Sequence, residues 1–285
     1  MPDAAPSLKM KSMLFAQVTD LHLGTGRRLA YRKVDTAAAL EACVAHLNAL
    51  RPRPDLVLFT GDLGDLGLPE EYALLAELLA PLELPYLMVP GNHDNRDALR
   101  AAFPAAIPAG DYRFAQYVVD DYPLRLIGLD TVDQGRPHGV LCVDRLSWLH
   151  DQLAESRDKP TILFMHHPPF KTGITHMDAQ NLTEGADGLA HLVARYGNIE
   201  AILCGHLHRT IHQRWQGTII STAPSPAHQV ALDLRPDGPS AFIMEPPACH
   251  LHWWSPGNGL ITHTSYIGRY DGPHPFFDPD GKLIV

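Results

Sequence analysis

The chain has 285 residues, of which 45% are hydrophobic and 19% are charged, and this composition argues against a disordered protein. Its 23 lysines and arginines are outnumbered by 32 aspartates and glutamates; the net charge of −9 disfavours a protein that grips nucleic acid polymers or anionic membranes through a basic face. Four widely spaced cysteines, no apolar run of membrane-spanning length and no secretory leader predict a reduced, cytoplasmic protein.

Short apolar runs alternate with helical stretches over the first two thirds of the chain, which predicts βαβ units and an α/β fold. Strands are predicted at residues 14–18, 56–59, 86–89, 161–165 and 201–204. A helix is predicted over residues 34–50, and another from Pro69, because proline and acidic residues are favoured in a first helical turn. Residues 112–130 alternate in the manner of an antiparallel hairpin.

The pattern of apolar residues changes near residue 211, where the helical periodicity stops. Short β-like runs, separated by turns rich in proline and glycine, follow at residues 219–220, 241–244, 250–254 and 260–266. We therefore expect a catalytic domain over residues 1–222 and a β-rich C-terminal extension over residues 223–285.

Polar clusters follow the five predicted strands at their carboxyl ends, which meet at one edge of an α/β sheet. In chain order they are Asp20 with His22, Asp62, Asn92 with His93 and Asp94, His166 with His167, and His206 with His208. In extended backbone, residues two positions apart project to the same side, so Asp20 and His22 can chelate one ion. Oxygen and imidazole donors without thiolates suit Fe, Mn, Zn or Co. Their number is too large for one tetrahedral ion and fits two.

The ordered motifs DxH, GD, GNHD, HxP and GHxH, which span residues 20 to 208, resemble those of the calcineurin-like metallophosphoesterases. A closer similarity, through residues 67–72, 164–169 and 221–230, is to the class III cyclic nucleotide phosphodiesterases, and particularly to their bacterial glycerophosphodiesterase branch. This resemblance implies a four-layer αββα sandwich with two metal ions at the sheet edge. It also implies that the C-terminal extension narrows the pocket mouth and supports a homo-oligomer.

The same resemblance implies a role for each motif residue. It gives seven metal ligands: Asp20, His22 and His208 for one ion, Asn92, His166 and His206 for the other, and Asp62 as the bridge. His93 would meet the phosphoryl group and protonate the leaving alkoxide or stabilise charge, and Asp94 would orient His93. His167 is either a packing residue or a substrate contact, and His228 is implied as a substrate-pocket residue.

The implied reaction is the hydrolysis of a small phosphodiester, a 3′,5′-cyclic nucleotide or a glycerophosphodiester, by a hydroxide held between the two ions. Two divalent ions, less two carboxylates and one hydroxide, leave a single formal positive charge, which matches a diester monoanion. A phosphomonoesterase or nucleotidase on the same scaffold stays the alternative, because the metal ligands do not separate the two. Asp65 stands where cyclic nucleotide relatives often carry an asparagine-containing turn, and it would repel anionic substrates if it faced the pocket. Tyr31 follows the first motif and could meet a leaving group, and His176 lies on a segment after Pro169 that could cover the site, but both segments are more typical of surface loops.

Overall fold

The computed structural model describes residues 11–108 and 113–285 of the chain. The helices are α1 (Thr36–Ala49), α2 (Pro69–Leu79), α3 (Arg96–Ala102), α4 (Val143–Glu155), α5 (Thr175–Asp178) and α6 (Ala186–Arg195). The strands are β1 (Met13–Val18), β2 (Leu56–Thr60), β3 (Tyr86–Val89), β4 (Tyr117–Val119), β5 (Arg125–Gly128), β6 (Gly139–Val140), β7 (Thr161–Met165), β8 (Leu182–Glu184), β9 (Ile199–Cys204), β10 (Ile211–Trp215), β11 (Thr218–Thr222), β12 (Gln229–Val230), β13 (Phe242–Ile243), β14 (Ala248–Ser255) and β15 (Gly259–Tyr266).

The five strands and two helices expected in the first two thirds of the chain are confirmed as β1, β2, β3, β7, β9, α1 and α2. Helix α1 begins after Asp35, whose carboxylate accepts a hydrogen bond from the backbone N–H of Ala38 at 2.9 Å. Such a cap contributes about 1 kcal/mol. Strands β4 and β5 form the expected antiparallel hairpin; Tyr112, where that prediction began, lies outside the described residues.

Two large sheets carry the fold. The first has the strand order β15-β14-β1-β2-β3, and the second has the order β10-β11-β9-β7-β5-β4. Strands β1, β2 and β3 are mutually parallel, as are β5, β7, β9 and β11, so their carboxyl ends form one edge of each sheet. That shared direction brings the polar clusters that follow these strands to the same place.

The sheets pack face to face, with helices on the outside. Phe59 of β2 and Phe164 of β7 belong to one buried cluster, which also includes Leu75 of α2. Met165, the neighbour of Phe164, points the other way and packs with Leu149 of α4. Alternate strand residues therefore cover both faces of the second sheet, and the four-layer αββα sandwich is confirmed.

The C-terminal segment is β-rich, as expected, and two of its strands complete the first sheet. Strand β14 pairs antiparallel with β1, in a register that runs from Met13 opposite Trp254 to Gln17 opposite His250. Strand β15 then pairs with β14, while β12 and β13 form a separate two-stranded ribbon. The division at residue 222 stays a prediction, and the residues beyond it are not a layer of their own.

The four cysteines, at positions 43, 142, 204 and 249, are free thiols. Over residues 11–108 and 113–285, no helix has both the length and the apolar character needed to cross a membrane.

Candidate metal centre

The loops that follow β1, β2, β7 and β9 are tied to one another by backbone hydrogen bonds. The N–H of Asp20 donates to the carbonyl of Gly61 at 2.9 Å, and the N–H of His22 donates to the carbonyl of Asp62 at 3.0 Å. The N–H of Gly205 donates to the carbonyl of His166 at 3.0 Å, which links the two central strands of the second sheet. These contacts hold the predicted ligand residues at one edge of the sandwich.

Five of the seven predicted ligands have left-handed backbone conformations. Their φ angles are 56° at Asp20, 46° at His22, 53° at Asp62, 71° at His206 and 49° at His208. The extended backbone that we expected for Asp20 and His22 is therefore wrong, although their side chains do meet on one side. Non-glycine residues rarely adopt this conformation, and a cluster of them marks a site where the surrounding structure imposes it.

Asp20, His22 and His208 form the first donor group. The Nδ1–H of His208 donates to the backbone carbonyl of His228 at 3.1 Å, so Nε2 keeps its lone pair for an ion. That Nε2 lies 3.3 Å from Oδ1 of Asp20 and 3.2 Å from Nε2 of His22. All three side chains are buried.

His166 and His206, whose donor atoms lie within 4.8 Å of each other, form the second donor group, and Asp62 lies beside His166. The Nδ1–H of His166 donates to the carbonyl of Thr60 at 2.7 Å, which leaves Nε2 facing Oδ2 of Asp62 at 3.3 Å. The same Oδ2 lies 3.7 Å from Nε2 of His22, in the first group. Asp62 thus stands between the two groups, in the position expected for a bridging carboxylate.

The chemistry of these donors fits divalent metal ions. Oδ1 of Asp20 and Nε2 of both His166 and His206 are buried and make no hydrogen bond. Unsatisfied buried polar atoms are costly, so their convergence needs a further partner. The donor atoms of Asp20, His22 and His208 lie within 4.8 Å of one another, as do those of Asp20, Asp62 and His166. The individual ligand roles remain predictions.

The protonation states of Asp20, Asp62 and His206 suit metal binding, because carboxylates bind as anions and imidazoles bind as neutral rings. Burial alone would raise the pKa of Asp20, but His208 lowers it to about 2. For Asp62, burial also works to raise the pKa, yet His166 and His93 hold it well below its usual value. Burial lowers the pKa of His206 to about 3. His166 differs, because burial lowers its pKa but Asp62 outweighs that effect and raises it to about 9, so an ion would have to displace a proton there.

The side chain of His167 does not line the cavity over the donor groups, which favours the packing role, and its substrate contact stays a prediction. Its side chain is fully buried, with Nδ1 2.8 Å from the hydroxyl of Thr131 and Nε2 3.2 Å from Oδ1 of Asn92. Its ring nitrogen also lies within 4.8 Å of donor atoms of His166 and His206. The ring of His167 therefore contacts Asn92 and lies beside the second donor group. Its position directly after His166 is the sequence feature that points to this place.

His93 lies above the first donor group, and its ring meets that of His22 edge-on with centroids 4.6 Å apart. Its Nδ1–H donates to the backbone carbonyl of Asp65 at 2.7 Å. The contact expected from Asp94 is therefore made by Asp65 instead. Burial lowers the pKa of His93, but Asp62 and Asp65 outweigh that effect and raise it.

Asp94 secures the loops instead. Its carboxylate accepts hydrogen bonds from the backbone N–H groups of Leu63, Gly64 and Gly91 and from the hydroxyl of Tyr72. Burial and the nearby charge of Asp62 raise the pKa of Asp94 to about 6. Asp94 is a positioning residue, because it holds the backbone that follows Asp62 and the neighbouring loop at Gly91.

A cavity of about 390 Å³ opens onto the donor groups and is called here the aromatic pocket. Tyr31 and Phe242 form one wall, with rings stacked at 5.1 Å, and His228 meets Tyr31 at 5.4 Å. His228 thus lines the cavity, as the resemblance implied, and so do Tyr31 and His176, for which surface loops were expected. Phe242 arrives on β13, and no motif marks it.

The negative charge of the Asp65 carboxylate is balanced by a neighbouring arginine. Its carboxylate forms an ion pair with Arg28 at 2.7 Å, and Oδ1 lies 3.7 Å from Nδ1 of His22. Only 16% of its side chain is exposed. The repulsion of anionic substrates that the sequence suggested is therefore offset by the arginine.

The chain is similar to known proteins along most of its length. The sequence model described as calcineurin-like phosphoesterase matches residues 13–210. A probable glycerophosphodiester phosphodiesterase of Arcobacter nitrofigilis is 47% identical over 272 residues, which cover 95% of this chain and 100% of that protein. A probable cyclic nucleotide phosphodiesterase of Rhodopseudomonas palustris is 36% identical over 265 residues, 92% of this chain and 94% of that protein. Among solved structures, a dimetal phosphatase from Danio rerio matches the fold with a TM-score of 0.62 at 15% identity, covering 90% of this chain and 99% of that one.

Proposed function

The chain belongs to the calcineurin-like phosphoesterase family, and from that premise we propose that it is a metal-dependent phosphoric diester hydrolase. Its substrates are small phosphodiesters, either glycerophosphodiesters or 3′,5′-cyclic nucleotides, the two classes named in its relatives. The main support is the convergence of buried, unpaired carboxylate and imidazole atoms at the carboxyl ends of the parallel strands.

Two divalent ions fit the donor arrangement. Asp20, His22 and His208 would hold one ion, Asn92, His166 and His206 would hold the other, and Asp62 would contact both. When bound, such ions polarise the phosphoryl oxygens and bring the pKa of a water between them from 15.7 towards about 7. Fe, Mn, Zn and Co all suit these oxygen and nitrogen donors.

A backbone hydrogen bond to one carboxylate oxygen of Asp62 fixes the direction of the other oxygen. Oδ1 accepts a hydrogen bond from the backbone N–H of His93 at 2.9 Å, so Oδ2 is directed towards His166 and His22. Asp94 fixes the same loops from the other side. The carboxylate is therefore oriented before any ion or substrate arrives, which reduces the reorganisation needed during the reaction.

His93 is the residue best placed to move a proton to the leaving group. Because Nδ1 donates to the carbonyl of Asp65, Nε2 is the nitrogen left to exchange a proton with the substrate. The ring lines the aromatic pocket, and 35% of the side chain is exposed. Donation from Nε2 to the departing oxygen would contribute about 10²- to 10⁴-fold in rate.

We extend the proposal to a homo-oligomer formed through the C-terminal segment. Tyr270, Phe276, Phe277 and Ile284 expose between 55% and 80% of their surface there. Several large apolar side chains exposed in one segment are typical of an interaction surface. Gel filtration with light scattering tests this proposal, and a monomer at micromolar concentration would contradict it.

The decisive experiment is a rate comparison on metal-stripped protein reconstituted with Mn²⁺. It measures 3′,5′-cyclic AMP, a glycerophosphodiester and a phosphomonoester under the same conditions. Diester turnover well above monoester turnover supports the proposal, and the ratio of the two diesters identifies the preferred class. Faster monoester turnover would favour the phosphomonoesterase or nucleotidase instead.

A further inference from the structure

A second cavity, of about 350 Å³, adjoins the aromatic pocket. Leu66, Gln134 and Arg136 lie in its wall, and it is called here the Arg136 pocket. Asn92 and His93 line both cavities, so these two side chains form their common boundary. The reacting group that meets His93 would therefore have a cavity on either side.

A phosphodiester has two ester arms on one phosphorus atom. In an acyclic diester the arms are separate groups that can point in different directions. In a 3′,5′-cyclic nucleotide both ester oxygens belong to one ring system, so the substituent lies on one side and fills one cavity. Two cavities that meet at His93 consequently suit an acyclic diester, with one arm in each.

The wall of the Arg136 pocket is a tight turn beside the centre. The N–H of Arg136 donates to the carbonyl of Asp133 at 2.9 Å, and Gly135 has a φ of +78° that a glycine accepts without strain. The amide of Gln134 approaches the backbone carbonyl of Asp94 at 3.5 Å. The turn therefore lies against the loop that carries His93.

The acidic side chains that line this pocket, Asp65 and Asp94, already have partners. Asp65 is paired with Arg28, and Asp94 accepts backbone hydrogen bonds. Asp133, outside the lining, lies 3.5 Å from Nε2 of His138, which balances its charge only when protonated. Within the described parts of the chain, the exposed guanidinium of Arg136 has neither a hydrogen bond nor an ion pair. Among the side chains that line the pocket it is thus the cation without an ion-pair partner, and it can attract an anionic group.

We propose that the Arg136 pocket binds the second ester arm of an acyclic phosphodiester, and that Arg136 selects an arm that carries a negative charge. This assignment rests on the proposed function, since it requires a phosphodiester at His93. It narrows the substrate class to acyclic diesters with an acidic arm, such as a carboxylate or a second phosphate.

The test uses the full chain with Mn²⁺ and three diesters that share a 4-nitrophenyl leaving arm. The other arm is methyl, 2-carboxyethyl or 2-(trimethylammonio)ethyl. An exposed ion pair contributes up to about 1 kcal/mol, so we expect the wild type to prefer the carboxylate arm over the methyl arm about fivefold in kcat/KM. Arg136→Ala should remove that preference through KM, Arg136→Lys should keep part of it, and 0.5 M salt should weaken it.

Two further variants separate the pocket from general surface charge. Arg214→Ala removes another exposed arginine, on β10 at the opposite end of the second sheet, and should leave all rates unchanged. Gln134→Trp should fill the Arg136 pocket, so that the 2-carboxyethyl diester loses kcat/KM while 3′,5′-cyclic AMP does not. Equal effects of Arg136→Ala on the methyl and carboxylate arms, or no effect on either, would overturn the assignment.

Calorimetric measurement of diester binding distinguishes a failure of the Arg136 pocket assignment from a failure of the proposed function. If no diester is turned over, the proposed function fails, but an Arg136→Ala variant that binds the carboxylate-arm diester about fivefold more weakly than the wild type still supports the Arg136 pocket. If diesters are turned over and neither binding nor KM depends on Arg136, the function stands and the pocket assignment is wrong. Undetectable binding of every diester to the wild type also overturns the assignment.

Discussion

Gly91→Ala should weaken metal binding without removing a ligand. The loop after β3 passes so close to Asp62 that a methyl group at position 91 would lie 2.9 Å from Cγ and would overlap both Oδ1 and the backbone N. The backbone nitrogen cannot rotate away, so the loop or the carboxylate must move. Either shift changes the direction of the oxygen that faces His166 and His22.

The size of the effect follows from two contributions. Overpacking a tight contact costs about 1–3 kcal/mol of folding free energy. Displacing a group that orients metal ligands lowers metal affinity about 10- to 100-fold. Gly91 also donates its N–H to Asp94 at 2.9 Å, so a loop shift would loosen the contact that holds both loops. We therefore expect weaker Mn²⁺ binding together with a lower melting temperature.

Gly197→Ala is the matched control, because no atom lies within 4 Å of the methyl group that it adds. Titration calorimetry of metal-stripped protein with Mn²⁺ gives the affinities, and thermal unfolding with and without Mn²⁺ gives the stabilities. The variant at position 197 should match the wild type in both measurements. Wild-type Mn²⁺ affinity in Gly91→Ala would refute the reasoning, because the close contact would then have no consequence for the carboxylate.

Three further predictions test individual side chains. Asp62→Ala should abolish metal-dependent turnover, because it removes the carboxylate between the two donor groups. It should also reduce the Mn²⁺ bound per chain, as measured by elemental analysis. Near-normal activity with the metal retained would exclude the bridging role. His93→Ala should lower kcat about 10²- to 10⁴-fold while the bound metal stays at the wild-type level, and loss of metal would instead make His93 a ligand. Burial lowers the pKa of His250 to about 3 and holds that of His252 well below its usual value, so below pH 6.5 the unfolded chain takes up protons that the folded chain does not. As the pH falls below 6.5, the free energy of unfolding should then fall by up to about 1.4 kcal/mol per pH unit for each ring, and for His250 this continues to about pH 3. When stability is measured by urea unfolding, the free energy of unfolding of His250→Gln should depend less steeply on pH than that of the wild type. The exposed His263→Gln variant should keep the wild-type dependence. Equal pH dependence in His250→Gln and the wild type would contradict the assignment.

The sequence predicted that the polar clusters come together, because the signal for each cluster is local. Each cluster, such as Asp62 after β2, follows an apolar run directly, and parallel strands bring their carboxyl ends together whatever the loops do. Backbone conformation was not predictable in the same way. The left-handed φ angles of Asp20 and His22 come from contacts with Gly61 and Asp62, forty residues away, which no local pattern encodes.

Long-range pairing accounts for the other differences. The sequence indicated strands near residues 250–266 but not their partner, because the register of β14 against β1 joins residues more than two hundred positions apart. The same holds for Phe242, which reaches the aromatic pocket only through the ribbon with β12. The sequence also could not predict that the charge of Asp65 is balanced, because its ion pair with Arg28 depends on how the two loops fold together.

The left-handed backbone of the five predicted ligands would connect metal binding to the stability of these loops. Each such residue costs about 1–3 kcal/mol, and the five lie in three adjacent loops. Without ions, that cost adds to the unpaired lone pairs of Asp20, His166 and His206. The hydrogen bonds that Asp94 accepts from two loops resist their relaxation, so the donors stay arranged for ions rather than for one another. Ion binding would then satisfy the lone pairs and offset the backbone cost together, which is why the centre can be strained and still persist.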